Sequence, residues 1–189
     1  MYRGKLCLAP MVRAGELPTR LLALQNGCDL VWSPEIIDKK LIKTQRNVNK
    51  HINSIDYTLE NGTLVFRTIP NLEKGKLIFQ IGSADPELAV EAALKVVQDV
   101  DGIDLNSGCP KHFSIHSGMG AALLSTPDLL CSILSNLVTR VGTPFAKPIS
   151  VKIRLLPEMK DTLSLVERLC ATGIQNITVH CRTREMRNR

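Results

Sequence analysis

The sequence predicts an α/β protein, a TIM-type (βα)8 barrel that stops after about six βα units. Three observations predict it. Short apolar runs, too brief for helices, recur along the chain, and most are followed by a stretch with helical apolar spacing. The runs close on glycine-containing or polar turns, at the strand ends where βα barrels carry their functional groups. The 189 residues also fall short of the roughly 250 that a complete barrel uses.

The first strand is Leu6–Met11, ending at Pro10-Met11, and Leu17–Leu24 follows as a helix closed by Asn26-Gly27, a left-handed cap signal. Leu30–Trp32 is the second strand and runs into Ser33-Pro34-Glu35. Leu77–Ile81 is the third. Asp85-Pro86 then opens a helix with an aspartate N-cap and a first-turn proline. Val100–Leu105 is the fourth strand, and Cys109 lies just beyond it between Gly108 and Pro110. The helix opened by Ser125-Thr126-Pro127-Asp128 is expected to stop before Gly142. Ile149–Leu155 is the fifth strand, Asp161–Ala171 a helix stopped by Thr172-Gly173, and Ile177–Val179 the sixth strand. One segment breaks the rhythm. Around residues 54–68 the pattern reads as a β-hairpin with a two-residue Asn61-Gly62 turn, an excursion from the barrel. Residues 1–189 thus read as the N-terminal part of a barrel, with its last two units absent and no closing helix after Met186-Arg187-Asn188-Arg189.

Composition narrows the function classes. Hydrophobic residues make up 44% and charged residues 22%, which describes a globular chain rather than a disordered one. No apolar run is long enough to cross a membrane, and the N-terminus lacks signal-peptide architecture. Six cysteines (Cys7, Cys28, Cys109, Cys131, Cys170, Cys181) contain no Cys-x-x-Cys pair. That argues for reduced thiols in the cytosol or nucleus, and against a disulfide framework or a zinc site. The net charge of +6 suits a polyanionic partner such as RNA, although proteins that bind none share it. The clusters Lys39-Lys40-Lys43-Arg46 and Arg182-Arg184-Arg187-Arg189 read individually as solvated faces.

The strand ends supply the candidate chemistry. They collect Pro10, Met11 and Val12, then Glu35, Gln80 with Gly82, Asn106 with Cys109, Lys152 with Arg154, and His180 with Arg182. The set is cationic with one thiol. It lacks the carboxylate cluster a divalent metal prefers and any Ser/His/Asp arrangement, so no metal is expected. Cys109 is a candidate acid or nucleophile on a turn held by two backbone punctuators; the alternative is a small buried hydrophobe. Lys152 interrupts an otherwise apolar strand that should be covered on both faces, which favours a role at an electron-rich or anionic ligand. His180 is either a site residue or an incidental polar one. His112 and His116, after Cys109, read as substrate-loop residues. The Gly118-Met119-Gly120 cluster suggests backbone closely approaching something flat or anionic.

Leu8-Ala9-Pro10-Met11-Val12, Phe79-Gln80-Ile81-Gly82, Asn106-Ser107-Gly108-Cys109-Pro110-Lys111, Gly118-Met119-Gly120-Ala121-Ala122-Leu123-Leu124, Val151-Lys152-Ile153-Arg154 and Val179-His180-Cys181-Arg182 follow one another along the chain. In that order they resemble the flavin-dependent tRNA-dihydrouridine synthases. Glu35-Ile36-Ile37-Asp38 and Asp161-Thr162-Leu163 are similar to the eukaryotic branch that modifies uridine 20 of the D-loop, in a fungal-looking form. The resemblance implies a barrel holding FMN, followed by a helical domain that grips tRNA. NADPH would reduce the flavin, hydride would pass to C6 of an extruded uracil, and the Cys109 thiol would protonate C5. Pro10, Met11 and Val12 would run along the isoalloxazine, Gln80 and Lys152 would bond its polar edge, His180 would approach it, and Glu35 would line the site. Asn106 would contact flavin or uracil, with Lys111, Arg154 and Arg182 on the substrate side.

Cys181 departs from the family, many of whose members carry glycine after the histidine. The family holds the FMN phosphate after its seventh and eighth strands. The resemblance further implies a monomer when full length, in the cytoplasm and also the nucleus. Two alternatives stay open: a flavin oxidoreductase of small pyrimidines, and a fragment that only binds RNA.

Overall fold

The computed structural model describes residues 1–186, so Arg187, Asn188 and Arg189, with two of the four arginines of the C-terminal cluster, lie outside the described residues. The chain runs through β1 (Cys7–Leu8), α1 (Leu17–Gln25), β2 (Leu30–Trp32), β3 (Ile36–Ile37), α2 (Asp38–Ile42), β4 (Gln45–Asn49), β5 (Ser54–Thr58) and β6 (Leu64–Thr68). It continues through α3 (Pro70–Glu73), β7 (Leu77–Gly82), α4 (Pro86–Val96), β8 (Gly102–Ser107), α5 (His112–His116) and α6 (Pro127–Leu137). Then come α7 (Thr143–Phe145), β9 (Ile149–Arg154), α8 (Met159–Cys170) and β10 (Asn176–His180).

Seven strands form one sheet in the order β1-β2-β7-β8-β9-β10, with β3 beside the end of β7. Every pairing in it is parallel. Sequential parallel order with a helix at most crossovers is barrel topology rather than an open doubly wound sheet, and the described residues form a partial βα barrel.

Side-chain alternation explains what each face does. Leu77, Phe79 and Ile81 of β7, Ile103 and Leu105 of β8, and Ile149, Val151 and Ile153 of β9 are all buried in one cluster with α4 and α6. The other face looks into the barrel. There the register sets Gln80, Asp104, Ser150 and Asn176 in one row, and Asn106, Lys152 and Thr178 in the next. This half of the interior is polar, and it leads to the strand ends.

Several local outcomes differ from the sequence reading. β1 has two residues instead of six, because the chain turns at once: Met11 O accepts the N–H groups of Ala14 and Gly15 at 3.2 and 2.7 Å. β2 and β3 are one strand interrupted at Ser33-Pro34-Glu35. Proline brings no N–H to the ladder, and the Ser33 hydroxyl fills the gap by accepting the Gln80 N–H at 2.9 Å. The expected hairpin is a three-stranded antiparallel sheet, β4-β5-β6. Its Asn61-Gly62 turn spans three residues rather than two, with Gly62 at φ +83° and Leu59 N–H bonded to Thr63 O at 2.9 Å.

Gly142 does not end the α6 helix. The chain passes helically through Val138–Gly142 into α7 and stops at Ala146, which is left-handed at φ 50°. Glycine is needed at 142 for close packing, since a Cβ there would lie 2.8 Å from Ile149 Cγ1. Asp85 caps α4 as expected, its Oδ1 accepting from Glu87 and Leu88 N–H at 2.8 and 3.0 Å.

Candidate active site

The C-terminal ends of the strands open onto a cleft of about 180 Å³. Ten of the twelve residues to which the family resemblance gives a role line it: Pro10 and Val12 after β1, Glu35, Gln80, Asn106, Cys109 and Lys111 around β7 and β8, Lys152 and Arg154 from β9, and His180 from β10. The other two do not. Met11 is absent from the cleft lining, its carbonyl holding the turn described above. Arg182 is exposed, because the chain bends back immediately after His180, where Arg182 N–H donates to His180 O at 2.6 Å. A larger cleft, about 780 Å³, opens at the opposite ends of the strands between Tyr2, Gly142, Pro148 and Gln175, and it holds none of the assigned residues.

Cys109 sits on a turn pinned at four points. Asn106 Oδ1 accepts the N–H groups of Gly108 and Cys109, both at 3.0 Å. The carbonyl of Gly108 accepts Arg154 Nε at 2.8 Å, and that of Cys109 accepts Ala121 N–H at 2.9 Å. Asn106 and Arg154 are therefore occupied in shaping the loop, with Arg154 also donating to Thr183 O at 3.0 Å. In the Gly118-Met119-Gly120 cluster, Gly120 packs closely against this loop. Gly120 has φ +59°, and a Cβ on it would fall 2.3 Å from Ser114 Oγ and 2.7 Å from Cys109 O. Ser114 is fully buried, and the sequence reading had no signal for it. His112 and His116 stack with ring centroids 5.4 Å apart and line a separate groove with Pro110 and Arg184.

Electrostatics set the protonation states. Burial pushes the Cys109 thiol above its ordinary value of 9.0; the Lys111 N–H opposes this, and the nearby Glu35 carboxylate reinforces it. The thiol is protonated at neutral pH. Burial also lifts Glu35 from 4.5 to about 7, tempered by the Cys109 thiol and by Lys111, yet neither Glu35 oxygen has a partner in full hydrogen-bonding geometry. Gly82 makes room for that carboxylate: a Cβ there would meet Glu35 Oε1 at 2.6 Å. Lys152 is lowered by burial, against the opposing pull of Asp104. His180 is lowered below 6.5 by burial and by Arg154, Lys152 and Arg182, so it is neutral at pH 7.

A carboxyl raised in the folded state binds more protons folded than unfolded, so Glu35 favours folding fully below pH 4.5 and loses that contribution as pH rises to about 7. Urea midpoints measured from about pH 5 to about pH 7.5 are expected to fall in the wild type, and Glu35→Gln should flatten the fall. An unchanged slope in the variant would assign the titration to another group.

The donor set fits a flavin. Pro10 and Val12 give an apolar wall, and Lys152 is half-buried with no hydrogen bond to its ammonium among the described residues. Glu35 offers two unpartnered acceptors. Gln80 donates one N–H to Asp104 at 2.8 Å and accepts from Asn106 at 3.3 Å, which leaves one N–H and one lone pair. Among the described residues no group of His, Cys, Asp and Glu could hold a metal ion.

Comparison with known proteins agrees with this architecture. Residues 7–189 match the family model described as dihydrouridine synthase (Dus). The whole chain is 68% identical to half of the tRNA-dihydrouridine(20) synthase [NAD(P)+] of Saccharomyces cerevisiae. Over 99% of its length it is 58% identical to 40% of the Schizosaccharomyces pombe protein of the same name. Over 97% of its length it is 33% identical to 52% of the human tRNA-dihydrouridine(20a/20b) synthase [NAD(P)+]-like protein. The chain spans about half the length of the curated relatives it matches. With the six motifs in order and the strand ends converging on one thiol-bearing cleft, the chain belongs to the dihydrouridine synthase family.

Proposed function

We propose that the protein carrying these residues reduces a uridine of tRNA, at position 20 of the D-loop, to 5,6-dihydrouridine, using FMN and NADPH. The observation that carries this reading is a thiol on a backbone-pinned turn at the mouth of a cationic cleft, with burial pushing its titration up. FMN, when bound and reduced by NADPH, supplies the hydride for C6 of the uracil.

The chain's own residues do the rest. Pro10 and Val12 exclude water from one side of the cleft. Lys152 places positive charge where electron density accumulates, and burial beside Asp104 keeps the ammonium short of water and ready for an anionic partner. Cys109 delivers a proton to C5 from a fixed direction, acting as a general acid. His180, neutral at pH 7, can accept or donate one hydrogen bond without adding charge. Lys111 is exposed at the rim and suits a phosphate contact, consistent with the net charge of +6.

The test uses the full-length protein loaded with FMN, with NADPH and either unmodified tRNA or free uridine. Dihydrouridine should form in the tRNA and not from the free nucleoside, and the rate at subsaturating tRNA should fall steeply with salt. Equal reduction of free uridine would overturn the tRNA assignment in favour of a small-pyrimidine oxidoreductase.

A further inference from the structure

We propose that Asp104, which lies too deep in the barrel to touch a substrate, is a positioning residue: it anchors a one-way chain of amide hydrogen bonds that ends on the backbone of the Cys109 turn. The inference rests on Cys109 being the acid of the proposed reaction.

Asp104 has no exposed surface. Its Oδ1 accepts from Ser150 Oγ at 2.6 Å and its Oδ2 from Gln80 Nε2 at 2.8 Å. Burial lifts its carboxyl to about 6, with Ser150, Gln80, Lys152 and Trp32 opposing the rise, and both of its oxygens are engaged as acceptors. Gln80 must then turn its NH2 toward Asp104 and its oxygen away. That oxygen can only accept, so Asn106 must present its NH2 to it, as it does at 3.3 Å. The Asn106 oxygen is left facing Gly108 and Cys109 N–H, at 3.0 Å each. A side-chain amide has nearly the same shape either way round; its neighbours choose the direction. Here an acceptor-only group at one end and two donor-only groups at the other demand the same direction, and every link pairs a donor with an acceptor.

If position 104 loses its acceptor, the Gln80 NH2 is buried without a partner. An unsatisfied buried donor is strongly disfavoured. Turning Gln80 over relieves it, but only by setting NH2 against the NH2 of Asn106, which in turn drives Asn106 off the Cys109 turn. Asparagine at 104 behaves differently. It can give its oxygen to Gln80 and its NH2 to Ser150 Oγ, which keeps the direction and loses the charge. The two substitutions separate the hydrogen-bond chain from the charge of Asp104 near Lys152.

The experiment compares Asp104→Leu and Asp104→Asn in the full-length, FMN-loaded protein. Three quantities are read: the single-turnover rate of tRNA reduction by pre-reduced enzyme, the rate of flavin reduction by NADPH, and the rate of Cys109 alkylation by iodoacetamide without tRNA. Misplacement of a reacting group by a remote change can lower rate by up to about 10²-fold. Asp104→Leu should therefore slow tRNA reduction about 10- to 100-fold and raise Cys109 alkylation, with flavin reduction little changed. Asp104→Asn should return the first two to within about fivefold of wild type.

Asp104→Asn as slow as Asp104→Leu would overturn the proposal by assigning the effect to charge. Flavin reduction falling in parallel with tRNA reduction would overturn it too. Should the leucine variant not fold, the asparagine variant alone decides, since the proposal requires it to stay near wild type. Alkylation needs no tRNA, so a failure of the tRNA assignment leaves the positioning of Cys109 separately measurable.

Discussion

Replacing Cys109 with alanine in the full-length protein should lower tRNA reduction about 10²- to 10⁴-fold, the usual range for a placed general acid, while flavin reduction by NADPH proceeds. The asymmetry follows from where the thiol sits. It is half-buried, raised by burial and by the charge of Glu35, and therefore holds its proton at the pH where the reaction must run. Nothing about reduction of a cofactor by NADPH uses that proton. Serine at 109 should be nearly as poor as alanine, because a hydroxyl of much higher pKa is a weaker acid in the same place. The turn is held through Asn106, Arg154 and Ala121 acting on backbone atoms, so truncating the side chain should leave both variants folded. A Cys109→Ala protein that reduces tRNA at the wild-type rate would make the thiol structural.

What the sequence revealed of this site is the part encoded in strand ends. Gln80, Lys152 and His180 could be found because each interrupts or ends an apolar run, and parallel strands covered on both faces leave such residues only the barrel interior. The same signal was present at Asp104, flanked by Ile103 and Leu105, but it lies two residues before the more conspicuous Asn106 and its role depends on register with Ser150 in another strand. Met11 and Arg182 do not line the cleft, since strand-end position does not say which way the chain turns next. Gly120 was noticed for its glycine character, yet its reason is a contact with Cys109 that no local pattern contains. Strand β4 was missed outright. Its residues Gln45, Arg46, Asn47, Val48 and Asn49 are mostly polar and exposed, and it is held by pairing with β5 and by Arg46, which bonds Asp99 through two nitrogens at 2.7 and 2.8 Å.

Another residue without a sequence signal is Arg20, and replacing it should cause a large loss of stability. It lies inside α1 with no exposed surface, on a helix read only for its apolar spacing. Its guanidinium reaches Glu73 through Nε at 2.7 Å and Nη2 at 3.2 Å, and also donates to Gly15 O at 2.9 Å and Arg67 O at 2.8 Å. Glu73, at 1% exposure, further accepts from Thr68 Oγ1 at 2.7 Å and Ile69 N–H at 3.2 Å. Phe66 covers the guanidinium, 5.5 Å from its ring centroid.

One side chain thus joins α1, β6, α3 and the turn that carries Pro10 and Val12 to the cleft. Arg20→Met keeps the volume but leaves the Glu73 carboxylate buried without its cation. Breaking a buried pair from one side typically destabilises by about 3–5 kcal/mol, and the urea midpoint should drop accordingly. Glu73→Leu, which strands the guanidinium instead, should cost about as much. The double variant, with neither charge buried, should recover much of the loss, because an apolar pair of similar volume is often as stable as the ions it replaces. If the two single losses simply add in the double variant, Arg20 and Glu73 act independently, and the ion pair is not what ties the helix to the excursion.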